Sequence, residues 1–392
     1  MFVERSIYSH LKEHLSRRQI TVLTGMRRTG KTTLVKQLMA DSSIRQKLYI
    51  DLERIDNRLL WTEINYETII QALTQRGLRF DEPVLLALDE IQLVPNLPSV
   101  LKYLYDTYVI KFIVTGSSAY YLKNQFTESL AGRKKLFEIY PLDFSELLLF
   151  RGVPASSMVW EASHFVRAEY ERLKSYYEEY ILFGGFPEVV LADAMADKQD
   201  LLSDILSSYI NFDILTLSDI RDPANLYKLI KLLADRIGTK LDISKLTSLI
   251  SLSRQTVENY LDLLEKSYLI RTVPVVSKSA DREIVKARKL YFLDNGLASL
   301  AGDLGSGARF ENAVFNQLLH RGNVAYYQLK TGREIDFIID ETVGIEVKET
   351  ATEGDLKQVQ TLGKNLDLTH QYVVGRHPLR VFEGYIWGGF LR

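Results

Sequence analysis

Residues 25–33 read Gly-Met-Arg-Arg-Thr-Gly-Lys-Thr-Thr, a complete G-x-x-x-x-G-K-T run, and no other stretch restricts the surrounding fold as strongly. Such a run cradles phosphate only when a buried strand feeds it and a helix leaves it. Both flanks comply. Residues 19–24, Gln-Ile-Thr-Val-Leu-Thr, suit a buried parallel strand, and residues 33–39 carry helical apolar spacing. Gly25 and Gly30 let the backbone close, so that N–H groups along Arg28, Thr29, Gly30 and Thr33 point at phosphate oxygens. The helix N-terminus adds partial positive charge. Lys31 is expected to reach the β- and γ-phosphates and the Thr32 hydroxyl to ligate Mg²⁺. The loop therefore predicts a bound ATP or GTP.

Cleavage of that nucleotide needs a second element. Residues 83–90, Pro-Val-Leu-Leu-Ala-Leu-Asp-Glu, form an apolar strand ending in two carboxylates. Asp89 would join the metal shell, and Glu90 would orient and deprotonate the attacking water. An Asp here would also serve as a helix N-cap after a buried strand. A third strand, 111–115, leads into Gly116-Ser117-Ser118, and Leu97, Leu101, Leu104, Tyr105 and Tyr108 mark a crossover helix before it. In a doubly wound sheet this strand would lie between the other two, leaving Ser117 or Ser118 to sense the γ-phosphate. The bland alternative is a turn. Arg133, in Ala-Gly-Arg-Lys-Lys, is the candidate arginine finger, in cis or on a neighbouring copy's nucleotide, against a solvated arginine in a basic turn.

At 392 residues the chain needs more than one core. Its 49 basic and 50 acidic residues exclude a blanket polycation, so nucleic-acid contact would come from local patches. The absence of Cys removes disulfides, thiolate zinc sites and Cys nucleophiles, and the six His show no metal-ligand spacing. No signal segment or membrane-length apolar run occurs, which predicts a cytoplasmic location without membrane contact.

Residues 156–222 read as helical and Tyr-rich, broken at Phe183-Gly184-Gly185-Phe186-Pro187 either beside the nucleotide or by a packing turn. A helix over 225–238 is expected to stop at Gly238. Residues 242–250 and 254–266 give two short helices around a Ser-Leu-Ser turn, followed by a strand at 268–271, the layout of a winged helix-turn-helix. Residues 253–266 hold two basic against three acidic side chains, net −1, whereas 271–292 hold six (Arg271, Lys278, Arg282, Lys286, Arg288, Lys289) against two, net +4. A basic wing over a near-neutral helix predicts phosphate contact with little base readout. A protein–protein module or a spacer is the alternative.

The last third carries a second constellation. Residues 309–319 form an amphipathic helix with Glu311 near its start, 324–329 a strand, and 334–339 and 343–348 a hairpin. Glu346 and Lys348 share a strand face, and Asp336 lies on the partner strand. This order resembles the PD-(D/E)xK restriction-endonuclease-like core. The resemblance implies that Asp336 and Glu346 hold Mg²⁺ or Mn²⁺ and that Lys348 orients the attacking water, with Glu311 alongside. Glu-Val-Lys also fits an exposed strand with a surface ion pair, and such a fold can persist as a binding platform.

Taken together, Gly25 to Thr33, Leu-Asp-Glu-Ile-Gln at 88–92, Thr-Gly-Ser-Ser at 115–118, Ala-Gly-Arg at 131–133, Gly-Gly-Phe-Pro-Glu at 184–188 and Tyr-Phe-Leu-Asp-Asn-Gly-Leu at 291–297 resemble the prokaryotic AAA-type ATPases that carry a C-terminal domain of unknown function. The implied fold class is α/β: a P-loop NTPase (AAA+) parallel sheet over 1–155, a helical lid over 156–222, a winged helix-turn-helix over 223–280 and a restriction-endonuclease-like α/β domain over 281–392. The implied cofactors are ATP and Mg²⁺. The resemblance supports fold and ATP use and leaves the process open; the residues themselves predict ATP hydrolysis coupled to DNA binding through the basic wing and the C-terminal domain, with metal-dependent phosphodiester cleavage as the further expectation. The alternative is an ATP-driven switch or assembly protein whose C-terminal domain binds DNA or protein without cutting. A regulator that merely senses ATP fits poorly with the acidic second helix. A finger acting in trans would require a homo-oligomer.

Overall fold

The computed structural model describes residues 2–117, 130–154, 165–215, 223–276 and 288–391. Ser118 and most of the basic wing, including Lys278, Arg282 and Lys286, lie outside the described residues. The chain divides into two compact units, one of residues 1–140, 208–219 and 266–268, the other of 141–207, 220–265 and 269–392. No helix among the described residues is long and apolar enough to cross a membrane.

In the first unit, β1 (Ile20–Thr24), β2 (Gln46–Asp51), β3 (Val84–Asp89), β4 (Ile110–Gly116) and β5 (Lys134–Glu138) form one sheet in the order β2-β3-β4-β1-β5. Every neighbouring pair is parallel. β1, β3 and β4 are buried along their whole length, as a parallel sheet covered on both faces requires. Alternate residues then feed two cores. Val22, Leu86, Leu88, Phe112 and Val114 pack with Trp61, Leu73, Leu101 and Leu104. Leu23, Leu85, Ala87 and Ile113 pack with Leu11, Leu34, Val35 and Leu38. β4 lies between β1 and β3, as expected, and Thr24 pairs with Gly116 while Leu88 pairs with Val114. That register brings the ends of β1, β3 and β4 to one edge of the sheet.

In the second unit, the helix Arg167–Phe183 is followed by Pro187–Leu191, Met195–Ser208 and Pro223–Ala234. The last of these ends at Ala234, before Gly238, whose N–H instead bonds the Leu290 carbonyl at 2.9 Å. Helices Ile243–Ile250 and Arg254–Lys266 flank a turn with Ser251 at φ 56°, and β6 (Ile270–Val273) pairs antiparallel with β7 (Lys289–Phe292). Helices Asn295–Ala301 and Ser306–Leu318 lead into a mixed sheet of order β12-β11-β10-β9-β8. Its strands are β8 (Val324–Gln328), β9 (Glu334–Ile339), β10 (Val343–Lys348), β11 (His370–Gly375) and β12 (Tyr385–Trp387), and the helix Glu353–Gly363 makes the crossover from β10 to the parallel β11.

The break at Gly184-Gly185 is a packing turn. The buried Asp294 carboxylate accepts the Gly185 N–H at 2.8 Å and caps the helix Asn295–Ala301 through Leu297 N–H at 3.0 Å. A Cβ on Gly184, which sits at φ +74°, would lie 2.2 Å from Asp294 Oδ2, and one on Gly185 would lie 2.0 Å from the Leu142 carbonyl oxygen. The two sequence motifs at 184–188 and 291–297 are therefore halves of one joint. Gly184→Ala combines left-handed strain with a collision against a capping carboxylate, and is expected to cost about 2–4 kcal/mol. A urea midpoint unchanged from wild type would contradict this account.

Candidate functional site

The phosphate loop closes as its glycines dictate. Gly25 has φ +149°, and a Cβ there would lie 2.1 Å from the Ile139 carbonyl oxygen. Arg28 takes φ 62° and Gly30 φ 93°, turning the chain into the helix Lys31–Asp41. That helix has no side-chain cap and no acidic residue in its first turn. A bare N-terminus forgoes about 1 kcal/mol of capping, which burial of Leu34, Val35 and Leu38, about 1.5–3 kcal/mol each, offsets. Its free N–H groups suit a phosphate. Thr29 bonds the Met26 carbonyl at 2.9 Å, and Arg5 braces the loop through the carbonyls of Thr29 at 3.1 Å and Tyr140 at 3.0 Å. Lys31 is buried and donates to the carbonyls of Gly25 and Met26, both at 2.8 Å. Burial lowers its pKa, while Glu90, Asp213 and Asp89 oppose the shift. Thr33 is exposed on the first helical turn.

Asp89 collects three hydroxyls: Thr32 at 2.7 Å, Tyr49 at 2.6 Å, and Thr115. A lone 3-10 turn, Ile91–Leu93, follows, so Asp89 does not start an α-helix. The Thr32 hydroxyl against an Asp89 carboxylate is an all-oxygen donor set that fits Mg²⁺. Glu90 takes the left-handed conformation at φ 59°, which costs about 1 kcal/mol or more outside glycine, and its N–H bonds Thr115 Oγ1 at 3.0 Å. Burial raises its pKa, while Lys31 and Arg27 pull it back down. Gln92 donates to the Glu90 carboxylate and to Ser117 Oγ at 2.9 Å, and Ser117 in turn donates to Asp213 Oδ1 at 2.7 Å. The geometry brings Lys31, Thr32, Asp89, Glu90 and Ser117 together at one edge of the sheet. Sequence reasoning missed Gln92, Arg27, Asp213, Tyr49 and Thr115. Gln92 was visible, two residues after Glu90; Asp213 sits in no motif.

Arg133 is elsewhere. Its carbonyl accepts the Ile20 N–H at 2.8 Å, at the start of β1, whereas the loop leaves the far end. Five strand steps separate the two ends by roughly 16 Å. The guanidinium forks onto Asp106 at 2.9 and 3.0 Å. Parallel pairing puts Arg133 at the end of β1 away from the phosphate loop, which disfavours a finger acting in cis, and its part-exposed pair with Asp106 fits the alternative of a solvated arginine in a basic turn.

The C-terminal candidates also meet, with an added cation. Asp336 follows the last paired rung, Phe337–Ile345, and accepts the Val347 N–H at 2.9 Å. Lys348 bonds Glu346 Oε1 at 2.7 Å, while Glu346 Oε2 is buried without a hydrogen-bond partner. Glu311 accepts from Tyr291 at 2.7 Å, and Asn312 clamps both backbone groups of Phe292, tying β7 to this helix. β7 therefore carries Lys289 into the cluster. Its ammonium is 2% exposed and lies 3.1 Å from Glu334 and 3.5 Å from Asp336. Burial, then Asp336, raises Glu311 to about 7, and burial, then Asp336, raises Glu346 to about 8. Among the described residues no group of three or more His, Cys, Asp or Glu is disposed to hold a metal ion. At the expected metal pair, Asp336 accepts a backbone N–H and is faced by Lys289, and Lys348 covers one Glu346 oxygen.

Three family models match the chain: AAA domain at residues 17–148, domain of unknown function (DUF8612) at 174–307, and domain of unknown function (DUF4143) at 306–385. An uncharacterised protein of Haemophilus influenzae is 29% identical over 374 residues, covering 90% of this chain and 89% of the relative. An uncharacterised protein of Methanocaldococcus jannaschii is 29% identical over 366 residues, covering 89% and 80%. Among solved structures, the Aeropyrum pernix ORC2 protein in its ADP form shares 14% identity at a TM-score of 0.40, covering 69% of this chain and 87% of that one. AMPPCP-bound DnaA from Aquifex aeolicus shares 15% at a TM-score of 0.28, covering 68% and 89%. Sheet order, phosphate loop and family match together make residues 17–148 an AAA-type P-loop domain.

Proposed function

We propose that the chain is a Mg²⁺-dependent ATPase acting as a switch, whose second unit binds DNA under control of the nucleotide. The observation that carries this reading is the convergence of Lys31, Thr32, Asp89 and Glu90 on one edge of a parallel sheet. Lys31 exchanges two loop carbonyls for phosphate oxygens, and Thr32 with Asp89 holds the ion. When bound, Mg²⁺ neutralises charge building on the β- and γ-oxygens. Glu90 orients the attacking water and takes its proton, and Ser117 offers its hydroxyl to the γ-phosphate.

DNA contact is assigned to the helices Ile243–Ile250 and Arg254–Lys266 with β6 and β7, read as a winged helix, because residues 271–292 keep net charge +3 (five basic against two acidic) after the buried Lys289 is set aside. The C-terminal sheet is read as nuclease-like, and Lys289 within its acidic cluster favours a binding platform over a cutting site. The test is DNA affinity with ATP or ADP across a salt series, in the presence of Mg²⁺. Phosphate-dominated binding is expected to weaken by about 10-fold or more between 50 and 200 mM salt and to differ between the two nucleotides. Affinity indifferent to both variables refutes DNA-directed switching. Cleavage of the duplex or the single strand in the same tubes, lost in Asp336→Ala, refutes the binding-only reading.

A further inference from the structure

The hydrogen bonds that start at Glu90 end on a residue no motif marks. Asp213, with a side chain 2% exposed, sits on the π-helical turn Tyr209–Ile214. Such turns are uncommon and recur at functional sites. Its Oδ1 accepts from Ser117 Oγ at 2.7 Å and from Arg27 Nε at 2.9 Å. Its Oδ2 is buried without a hydrogen-bond partner. A buried carboxylate is costly unless paired, so this one depends on those two donors. Both donors belong to the phosphate site. Arg27 is the third residue of the phosphate loop, and Ser117 follows β4 at the same sheet edge. Arg27 also lies 3.1 Å from Glu53 and 3.9 Å from Glu90.

We propose that Asp213 is a positioning residue that makes the site distinguish nucleoside triphosphate from diphosphate, by holding Arg27 and Ser117 until a γ-phosphate takes them. The inference rests on reading the first unit as an ATPase. A γ-phosphate needs cationic and hydroxyl donors, and Arg27 and Ser117 supply both. Binding it strips Asp213 of its partners and sets a carboxylate beside a phosphate, so the triphosphate bears a cost. A diphosphate ends at the β-phosphate, which Lys31 serves, and leaves the pair intact. Gln92 bridges Ser117 and Glu90, so the same exchange reorients Glu90 only when there is a γ-phosphate to attack.

The test is fluorescence titration of the full chain with Mg²⁺ and methylanthraniloyl-labelled ADP or a non-hydrolysable ATP analogue. Asp213→Asn is expected to tighten triphosphate binding about 10-fold and to leave ADP within about twofold. Equal shifts for both nucleotides, or none, overturn the proposal. In an Arg27→Gln background the effect of Asp213→Asn on triphosphate should shrink below about threefold; an undiminished effect also overturns it. Should Asp213→Asn fail to fold, Ser117→Ala must weaken the triphosphate alone, and a loss shared with ADP counts against the coupling. Wild-type protein that binds neither nucleotide overturns the ATPase reading beneath it, which separates the two failures.

Discussion

Glu90→Gln is expected to leave ATP bound with unchanged affinity and to lower turnover by about 10²–10⁴-fold, the span of a lost general base. The change is nearly isosteric, so it keeps the Gln92 contact and the left-handed backbone at φ 59°. It removes the ability to accept a proton, together with the charge facing Arg27 and Lys31. Asp89 is the less suitable base. Three hydroxyls occupy its oxygens, and two of them, those of Tyr49 and Thr115, are not part of the phosphate loop. Burial lifts the Glu90 carboxyl above its ordinary range, towards the pH at which a base works best. Phosphate release under saturating ATP, compared with the fluorescence affinity, separates binding from chemistry. Undiminished hydrolysis would remove Glu90 from the proposed role.

The second large effect is on stability, in the C-terminal cluster. The second unit is expected to melt at lower temperature as pH rises from 5 to 8.5, with Glu346→Gln flattening the dependence. Glu311 and Glu346 are raised from 4.5 to about 7 and about 8 by burial and by Asp336. A carboxyl raised on folding binds its proton more tightly in the native state. Its contribution is therefore full below the unfolded pKa, near 4.5, and lost as pH climbs through 7 to 8. Lys289 and Lys348 oppose the loss and Glu334 adds to it. With one oxygen unpartnered, Glu346 is a liability once ionised, so Glu346→Gln should gain about 1–3 kcal/mol at pH 8.5. A melting curve equally steep in the variant would place the titration elsewhere.

Much of the first unit was legible before any coordinate. The phosphate loop announces itself because Gly25 and Gly30 impose its closure locally, and an apolar run ending in Asp89-Glu90 can only be a buried strand emerging at an edge. Even the position of β4 between β1 and β3 was expected of a doubly wound sheet. Arg133 shows the limit. A glycine-arginine turn looks like a finger in sequence, yet parallel pairing of β5 with β1 sends it to the opposite end.

The partners of the charged groups were not legible. Asp213 lies 96 residues from Ser117, and Lys289 lies 47 from Asp336. Neither pairing leaves a spacing to read, because each is made where two distant segments pack. The sequence by itself determined the phosphate loop, the acidic strand end and the order of elements, since glycine conformations, strand burial and helix periodicity are properties of a few adjacent residues. Only the tertiary structure decided which buried charge meets which. In a low-dielectric interior that choice settles whether a buried carboxylate is answered by a lysine, and whether Glu90 stands alone or at the end of a hydrogen-bonded chain.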